Sequence, residues 1–250
     1  MHTISLIVPC YNEELNIQKG VLDKISNYVK HVPQIKEIII SDDGSTDNSK
    51  KIIRSEYLSQ LPLFMLLENE HHGKAQALIS AIKKAKGEYV LFTDIDLATP
   101  IEEVEKMVKE IEKGTDIIIG SRNSHREGAP WTRKLLAVGF IFFRNFFIGL
   151  KDIKDTQCGF KAFRTSHALT IINNLQVFKK AQETHGSSVA AGFDLEFLFL
   201  ANKYGYSIKE IPVIWKHVET KNVNFIKDSI ETLKDILRMK YYDLTGKYKA

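Results

Sequence analysis

YVLFTDIDLATP, residues Tyr89 to Pro100, is an apolar run that stops at two carboxylates, Asp94 and Asp96, and then at a proline suited to open a helix. Three other runs have the same make-up: Thr3 to Val8, Glu37 to Ile40 and Asp116 to Ile119. Short, partly β-branched runs that end at turn or acidic residues are what buried parallel strands look like. Between them, Glu14 to Val32, Asp47 to Leu58, Lys74 to Lys86 and Ile101 to Lys113 place apolar residues at helical spacing. This alternation predicts βαβ units and a mostly parallel, doubly wound sheet in an α/β fold.

Ligands of such sheets bind beyond the carboxyl ends of the strands. Here those ends carry Pro9, Cys10, Tyr11, Asn12 and Glu13, then Ser41, Asp42, Asp43, Gly44 and Ser45, then Asp94 and Asp96. Part of this polarity is helix capping, and Ser45, Thr46 and Asp47 are placed to cap the helix that follows. Two carboxylates at i and i+2 in an extended or turning segment face one side, so Asp94 and Asp96 can share a hard divalent cation. Mg2+ or Mn2+ bound there would neutralise a diphosphate. Asp42 and Asp43 can accept hydrogen bonds from a base N–H or a ribose hydroxyl. Lys74, which follows Gly73 at a helix start, and Arg122, which follows Gly120 and Ser121 after a strand, offer positive charge to phosphate.

The composition suits a globular chain: 250 residues, 44% hydrophobic and 26% charged, enough for one large core. Cys10 and Cys158 have no metal-type spacing, which argues against a disulfide framework or a zinc site and makes a reducing compartment the default. The net charge of +4 is too mild to argue for nucleic acid. The first residues read as a strand and not as a signal peptide.

Two segments depart from the alternation. KLLAVGFIFFRNFFIGL, Lys134 to Leu150, is apolar nearly all round, with Arg144 and Asn145 as its main polar interruptions and Arg133, Lys134 and Lys151 at its flanks. As a helix it is roughly 25 Å long, slightly short for a membrane span. It suits a helix lying in a lipid interface, and equally a core or dimer-interface helix, which leaves a homo-oligomer open. Further on, Phe225, Ile226, Ile230, Leu233, Ile236, Leu237 and Met239 are expected on one face of a helix, with Lys227, Lys234, Arg238 and Lys240 elsewhere. Such a basic amphipathic helix can dock on anionic lipid or pack on the protein body.

The motifs VPCYNE (Val8 to Glu13), SDDGSTD (Ser41 to Asp47), HGKAQAL (His72 to Leu78), TDIDLATP (Thr93 to Pro100), GSR (Gly120 to Arg122), DTQCGFKAF (Asp155 to Phe163) and FDLEFLFLA (Phe193 to Ala201) follow one another in this order. In order and spacing they resemble the inverting family 2 glycosyltransferases of GT-A fold. More narrowly, the chain is similar to the dolichyl-phosphate β-glucosyltransferase branch and its polyprenyl-phosphate relatives, from about Ile4 to about Lys240. The resemblance implies a single GT-A domain, with residues 1–123 as the nucleotide-sugar half, 124–221 as the acceptor half and 222–250 as an amphipathic C-terminal helix. It implies that Pro9, Tyr11, Glu13 and Asp43 hold the nucleoside, that Asp94 and Asp96 hold the diphosphate through the metal, and that Arg122 contacts phosphate on the nucleotide-sugar side. Asp155 matches the position proposed to act as base or to orient the acceptor. Arg133, Lys216 and Lys221 are further candidates for the lipid phosphate.

Relatives that transfer mannose commonly carry DLTGxFR, and a glutamine two residues after the second metal aspartate. Here DTQCGFK and Ala98 stand in those places, which favours UDP-glucose over GDP-mannose. The stretch Lys179 to Ala191 is longer than the usual connection, and the N-terminal anchor of the eukaryotic enzymes has no counterpart. The expected function is inverting transfer of glucose from a nucleotide-sugar donor to a polyprenyl phosphate, by an enzyme peripheral at the cytoplasmic face of a membrane. A soluble glycan or protein acceptor is the first alternative, and a non-catalytic nucleotide-sugar-binding module the second.

Overall fold

The computed structural model describes residues 1–59, 62–122, 139, 141, 143–151, 153–179, 191–216 and 225–248. Arg133 and Lys221 lie outside the described residues, as do 134–138 of the apolar segment and 180–190 of the long connection.

One seven-stranded sheet organises the chain. In chain order the strands are β1 (Ile4–Cys10), β2 (Ile35–Asp42), β3 (Phe64–Glu68), β4 (Tyr89–Phe92), β5 (Ile117–Arg122), β6 (Lys161–Arg164) and β7 (Ile208–Val213). Their spatial order is β3-β2-β1-β4-β6-β5-β7. All pairings are parallel except those of β6, which runs antiparallel between β4 and β5. The α/β class and the mostly parallel sheet are therefore as expected. β3, β6 and β7 were not legible in the sequence.

β6 has a consequence for the edge where ligands bind. Because it is reversed, its first residue, Lys161, pairs with Phe92 and with Ile119, near the carboxyl ends of β4 and β5. The segment Asp155 to Phe160 that leads into β6 is thereby brought to the same edge as Asp94.

The strands are buried on both faces, so successive residues feed two cores. Ile7, Ile39, Val90, Phe92, Ile117 and Phe163 point to one side. There they meet α4 (Lys74–Lys84), α6 (Thr165–Asn174), α7 (Ala191–Lys203) and part of α8 (Phe225–Leu244). Leu6, Val8, Ile38, Ile40, Leu91 and Ile118 point to the other, against α2 (Val21–Val29) and α5 (Val104–Glu112). Each fully buried isoleucine or leucine contributes about 1.5–3 kcal/mol, which is why the central strands read as unbroken apolar runs.

Several helices are shorter than their periodicity suggests. Glu14 to Val32 divides into α1 (Glu14–Gln18) and α2 at Gly20, whose φ of +76° is a left-handed conformation that breaks the helix. After Asp47, α3 (Ser49–Ile52) passes into a π-helical stretch, Ile53–Leu58. Within the apolar segment, residues 143–148 are helical, but that helix is not apolar on every side. Arg144 is 1% exposed and donates to the carbonyls of Leu150 and Ile153, whereas Phe146 is 74% exposed. Arg144 thus anchors the turn that precedes Asp155.

The face expected on α8 is split in two. Ile236 and Met239 are buried against the body, while Ile230 and Leu237 are exposed together with Tyr241 and Leu244. Among the described residues, no helix is long and apolar enough to cross a membrane.

Candidate active site

The acidic turn after β4 is tighter than an extended strand. The N–H of Leu97 bonds the Asp94 carbonyl at 3.1 Å, and Leu97 takes φ +50°, so Asp94 and Asp96 sit on a turn. Asp94 forms an ion pair with Lys74 from the first turn of α4. Burial works against the charged form of Asp94, but the Lys74 ammonium, helped by Lys161 and Arg122, outweighs it and holds the carboxyl below its usual range. Asp96 goes the other way. Burial and the charge of Asp94 raise it, although the N–H of Ala98 bonds it at 3.0 Å.

The two carboxylates that the spacing assigned to one shared cation therefore differ in their charge environment. Lys74 takes Asp94, and Asp96 is the one short of positive charge. Among the described residues no cluster of three or more His, Cys, Asp or Glu side chains surrounds a point. Two hard oxygen donors on one turn, one of them electrostatically unsatisfied, fit a divalent cation, which would take its remaining ligands from elsewhere.

Gly159 explains why DTQCGF must pass here. A Cβ on Gly159 would lie 2.1 Å from Oδ2 of Asp94, so glycine lets this segment run against the Asp94 carboxylate without displacing it. Two residues on, Lys161 is 2% exposed and donates to Asp194 at 2.8 Å and to the Cys158 carbonyl at 2.5 Å. The side chains Asp194, Lys161, Asp94 and Lys74 alternate in sign through the floor of the site, and the buried charge of Lys161 is met by that of Asp194. Lys161 and Asp194 lie within motifs noted in the sequence, but their pairing depends on the reversal of β6.

Asp155 and Arg122 are brought together. Arg122 donates Nε to Oδ2 at 2.7 Å and Nη2 to Oδ1 at 2.9 Å, and its own backbone N–H reaches Oδ2 at 3.1 Å. The N–H of Gln157 adds a bond at 3.1 Å. Burial opposes ionisation of Asp155, yet these donors hold it below the usual carboxylate range. A carboxylate so saturated is a poor proton acceptor, which favours orientation over general-base action. Glu210 on β7 accepts the N–H of Asp155 at 2.8 Å and that of Lys154 at 3.1 Å, positioning the segment from below.

At the other end of the edge, Tyr11 stacks on His71, with ring centroids 4.1 Å apart and planes 10° apart. Nδ1 of His71 lies 2.9 Å from Oδ2 of Asp43. The backbone N–H groups of His72 and Gly73 also donate to Asp43, at 2.9 and 3.1 Å to its Oδ1. Asp43, 3% exposed, thus ties the β2 loop to the start of α4. Asp42 is fully buried, accepts Gly44 and Ser45 N–H groups on Oδ1 at 3.1 and 3.0 Å, and leaves Oδ2 buried without a hydrogen-bond partner among the described residues. Pro9 and Glu13 are half-buried beside this loop, and Nδ2 of Asn16 donates to Glu13 at 2.5 Å. Asp47 stands one residue before Asn48, the N-cap of α3, so it does not cap as expected; it accepts Ser49 N–H at 3.0 Å and Glu14 N–H at 3.1 Å, tying the helix start to α1.

Lys216 is exposed just after β7, and its backbone N–H bonds the Ala98 carbonyl at 2.7 Å, which binds the end of β7 to the acidic turn. The sequence reading missed His71, Lys161, Asp194, Glu210 and Trp215 as members of this edge. His71, Lys161 and Asp194 lie within or next to the motifs, whereas Glu210 and Trp215, in and just after β7, lie beside none of them.

A mostly parallel α/β sheet carrying an acidic turn after β4, with basic and carboxylate side chains gathered at the same edge, defines a GT-A glycosyltransferase. The model described as "Glycosyl transferase family 2" matches residues 5–170, and the chain belongs to that family. It is 33% identical to the dolichyl-phosphate beta-glucosyltransferase of Dictyostelium discoideum, over 98% of this chain and 76% of the relative. To the enzyme of the same name from Saccharomyces cerevisiae it is 32% identical, over 98% and 76%. In fold it is similar to glucosyl-3-phosphoglycerate synthase of Mycobacterium tuberculosis, solved with Mn2+ and UDP-glucose, at a TM-score of 0.66 and 18% identity over 96% of this chain and 79% of that one. The chain is an enzyme of the glycosyltransferase class, which sets aside the non-catalytic module.

Proposed function

We propose that this enzyme transfers glucose from UDP-glucose to a dolichyl-type polyprenyl phosphate, inverting the anomeric configuration. The observation that carries the proposal is the saturated Asp155 held against Arg122 beside the acidic turn. Such a pair suits an acceptor that needs no base. A phosphate monoester does not, because its second pKa is near 6 and it is largely dianionic at neutral pH. The named relatives act on an acceptor of that kind, and their similarity spans nearly the whole chain.

In this mechanism an acceptor phosphate oxygen attacks the anomeric carbon while the bond from that carbon to the UDP oxygen breaks, and UDP leaves with the electron pair. The difficulty is electrostatic, since two anions must meet. Arg122, fixed by Asp155, draws in the acceptor phosphate. Lys74 stands beside Asp94 to meet the departing diphosphate, and Tyr11, with His71 stacked on it, Pro9 and Glu13 frame the nucleoside. Asp96 together with Asp94 would hold Mg2+ or Mn2+, which when bound neutralises charge on the diphosphate.

The exposed apolar stripe of α8 supports work at a membrane surface. Ile230, Leu237, Tyr241 and Leu244 fall on one side of the helix at 3.6 residues per turn, with Lys234 and Lys240 beside them. Apolar insertion flanked by lysines favours anionic lipid.

The test is a panel of UDP- and GDP-sugars with a polyprenyl phosphate and either metal, read by mass spectrometry. Glucosyl phospholipid from UDP-glucose is expected. Product from GDP-mannose alone, or from soluble acceptors alone, overturns the proposal.

A further inference from the structure

β7 ends at Val213, which pairs with Arg122, and the next residues leave the body of the protein: Ile214 is 56% and Trp215 42% exposed. Ile214 and Trp215 are consecutive exposed apolar residues, and contiguous exposed apolar surface marks interaction sites. These two lie at the mouth of the site, because Lys216 is bonded to Ala98 of the acidic turn. The Arg122 guanidinium lies 5.8 Å from the centroid of the Trp215 ring. Asp155 engages only the Nε and Nη2 edge of that guanidinium, so Nη1 stays outside the ion pair.

We propose that Trp215 and Ile214 form the subsite for the first isoprene units of the acceptor, set against Arg122 so that one ligand is recognised at once by its phosphate and by its chain. The inference rests on the function proposed above and extends it to residues that set acceptor specificity. The occupant is a phosphate monoester of a long apolar alcohol. Its phosphate complements Arg122, while its first isoprene units, more than one of which is needed to span the indole and the Ile214 side chain, cover both and remove them from water. A short, soluble phosphate monoester could satisfy Arg122 but would leave the apolar pair exposed. Asp155 thus holds the guanidinium by its Nε and Nη2 edge while Trp215 lies over it and shields it from solvent, strengthening its hold on the phosphate.

The experiment compares UDP-glucose transfer to isopentenyl phosphate and to a phosphate of four isoprene units, in the wild type, Trp215→Ala, Trp215→Phe and Ile214→Asn. In the wild type the longer acceptor is expected to have the higher kcat/KM by more than tenfold. Trp215→Ala and Ile214→Asn should cut that ratio about tenfold and fivefold, chiefly through KM, and Trp215→Phe should keep most of it. A variant that slows both acceptors by the same factor, leaving the ratio intact, shows a structural role only and overturns the inference. So does a wild type that does not distinguish the chain lengths. If neither prenyl phosphate is glucosylated by the wild type while another acceptor is, the proposed function has failed, and this subsite fails with it.

Discussion

Asp155 receives Nε and Nη2 of Arg122 at 2.7 and 2.9 Å, and with the N–H groups of Arg122 and Gln157 its two oxygens accept four hydrogen bonds. The pairing joins two residues whose expected roles were separate, one for the acceptor and one for phosphate. The charge on Asp155 serves to aim a cation.

Asp155→Asn is expected to lower kcat/KM for the acceptor about a hundredfold while changing the dissociation constant of UDP-glucose less than about threefold, since mispositioning a charged clamp affects the transferred step more than the donor. Steady-state kinetics and calorimetry check this. The acidic limb of kcat/KM against pH should fall near 6, set by the acceptor phosphate, and should stay there in the variant. An acidic limb that disappears with Asp155 would make this residue the base.

Gly159→Ala places a methyl group where Oδ2 of Asp94 now lies, 2.1 Å from the new carbon. The Asp94 carboxylate must swing aside and give up its place beside Lys74, and the sheet need not move. The variant should melt within a few degrees of the wild type yet lose more than about a hundredfold in transfer, with binding of Mn2+ plus UDP weakened in calorimetry.

Lys74→Met removes the cation that offsets the partly buried charge of Asp94. The KM for UDP-glucose should rise at least about tenfold, because both the ion pair and the positive charge for the diphosphate disappear. Lys74→Arg should recover part of the loss. Unchanged donor kinetics in the methionine variant would remove Lys74 from the site.

Glu196 is fully buried and accepts the N–H groups of Gln176, Val177 and Phe178 at 2.7, 2.9 and 2.9 Å, and the hydroxyl of Tyr248 at 2.6 Å. Glu196→Gln turns one acceptor into a donor that faces other donors. A loss of about 2–3 kcal/mol is expected, seen as a fall in Tm of roughly 5–10 °C.

Asp235 on α8 is raised to about 6, first by burial and then by Glu196 and Glu231, against Arg238. The native state therefore holds the proton more tightly than the unfolded chain does. The stabilisation is full below pH 3.8 and is lost as pH climbs through 6, which places the slope between those values. Asp235→Asn should flatten that slope and raise Tm at pH 7.5. Chemical denaturation of both proteins at pH 4, 5, 6 and 7.5 measures it.

The parallel sheet, the acidic turn after YVLFT and the carboxylates at the strand ends follow from local pattern. An apolar run that stops at polar residues carries its own prediction, because burial and turn chemistry act over a few neighbouring residues. The same locality explains the misjudged elements: Gly20 breaks one helix, and the α8 stripe divides because its periodicity shows that apolar faces exist without showing what each meets. Pairings between distant residues are of another kind. Lys74 with Asp94, Arg122 with Asp155 and Lys161 with Asp194 are separated by 20, 33 and 33 positions, and each depends on where a strand lies in the sheet. The antiparallel insertion of β6 decided most of them, carrying Asp155, Gly159 and Lys161 to the edge that β4 had already defined. Residue types were enough to announce a charged, phosphate-handling edge; which charge meets which was decided only when tertiary packing buried them, since a charge out of water must be met by an opposite one nearby.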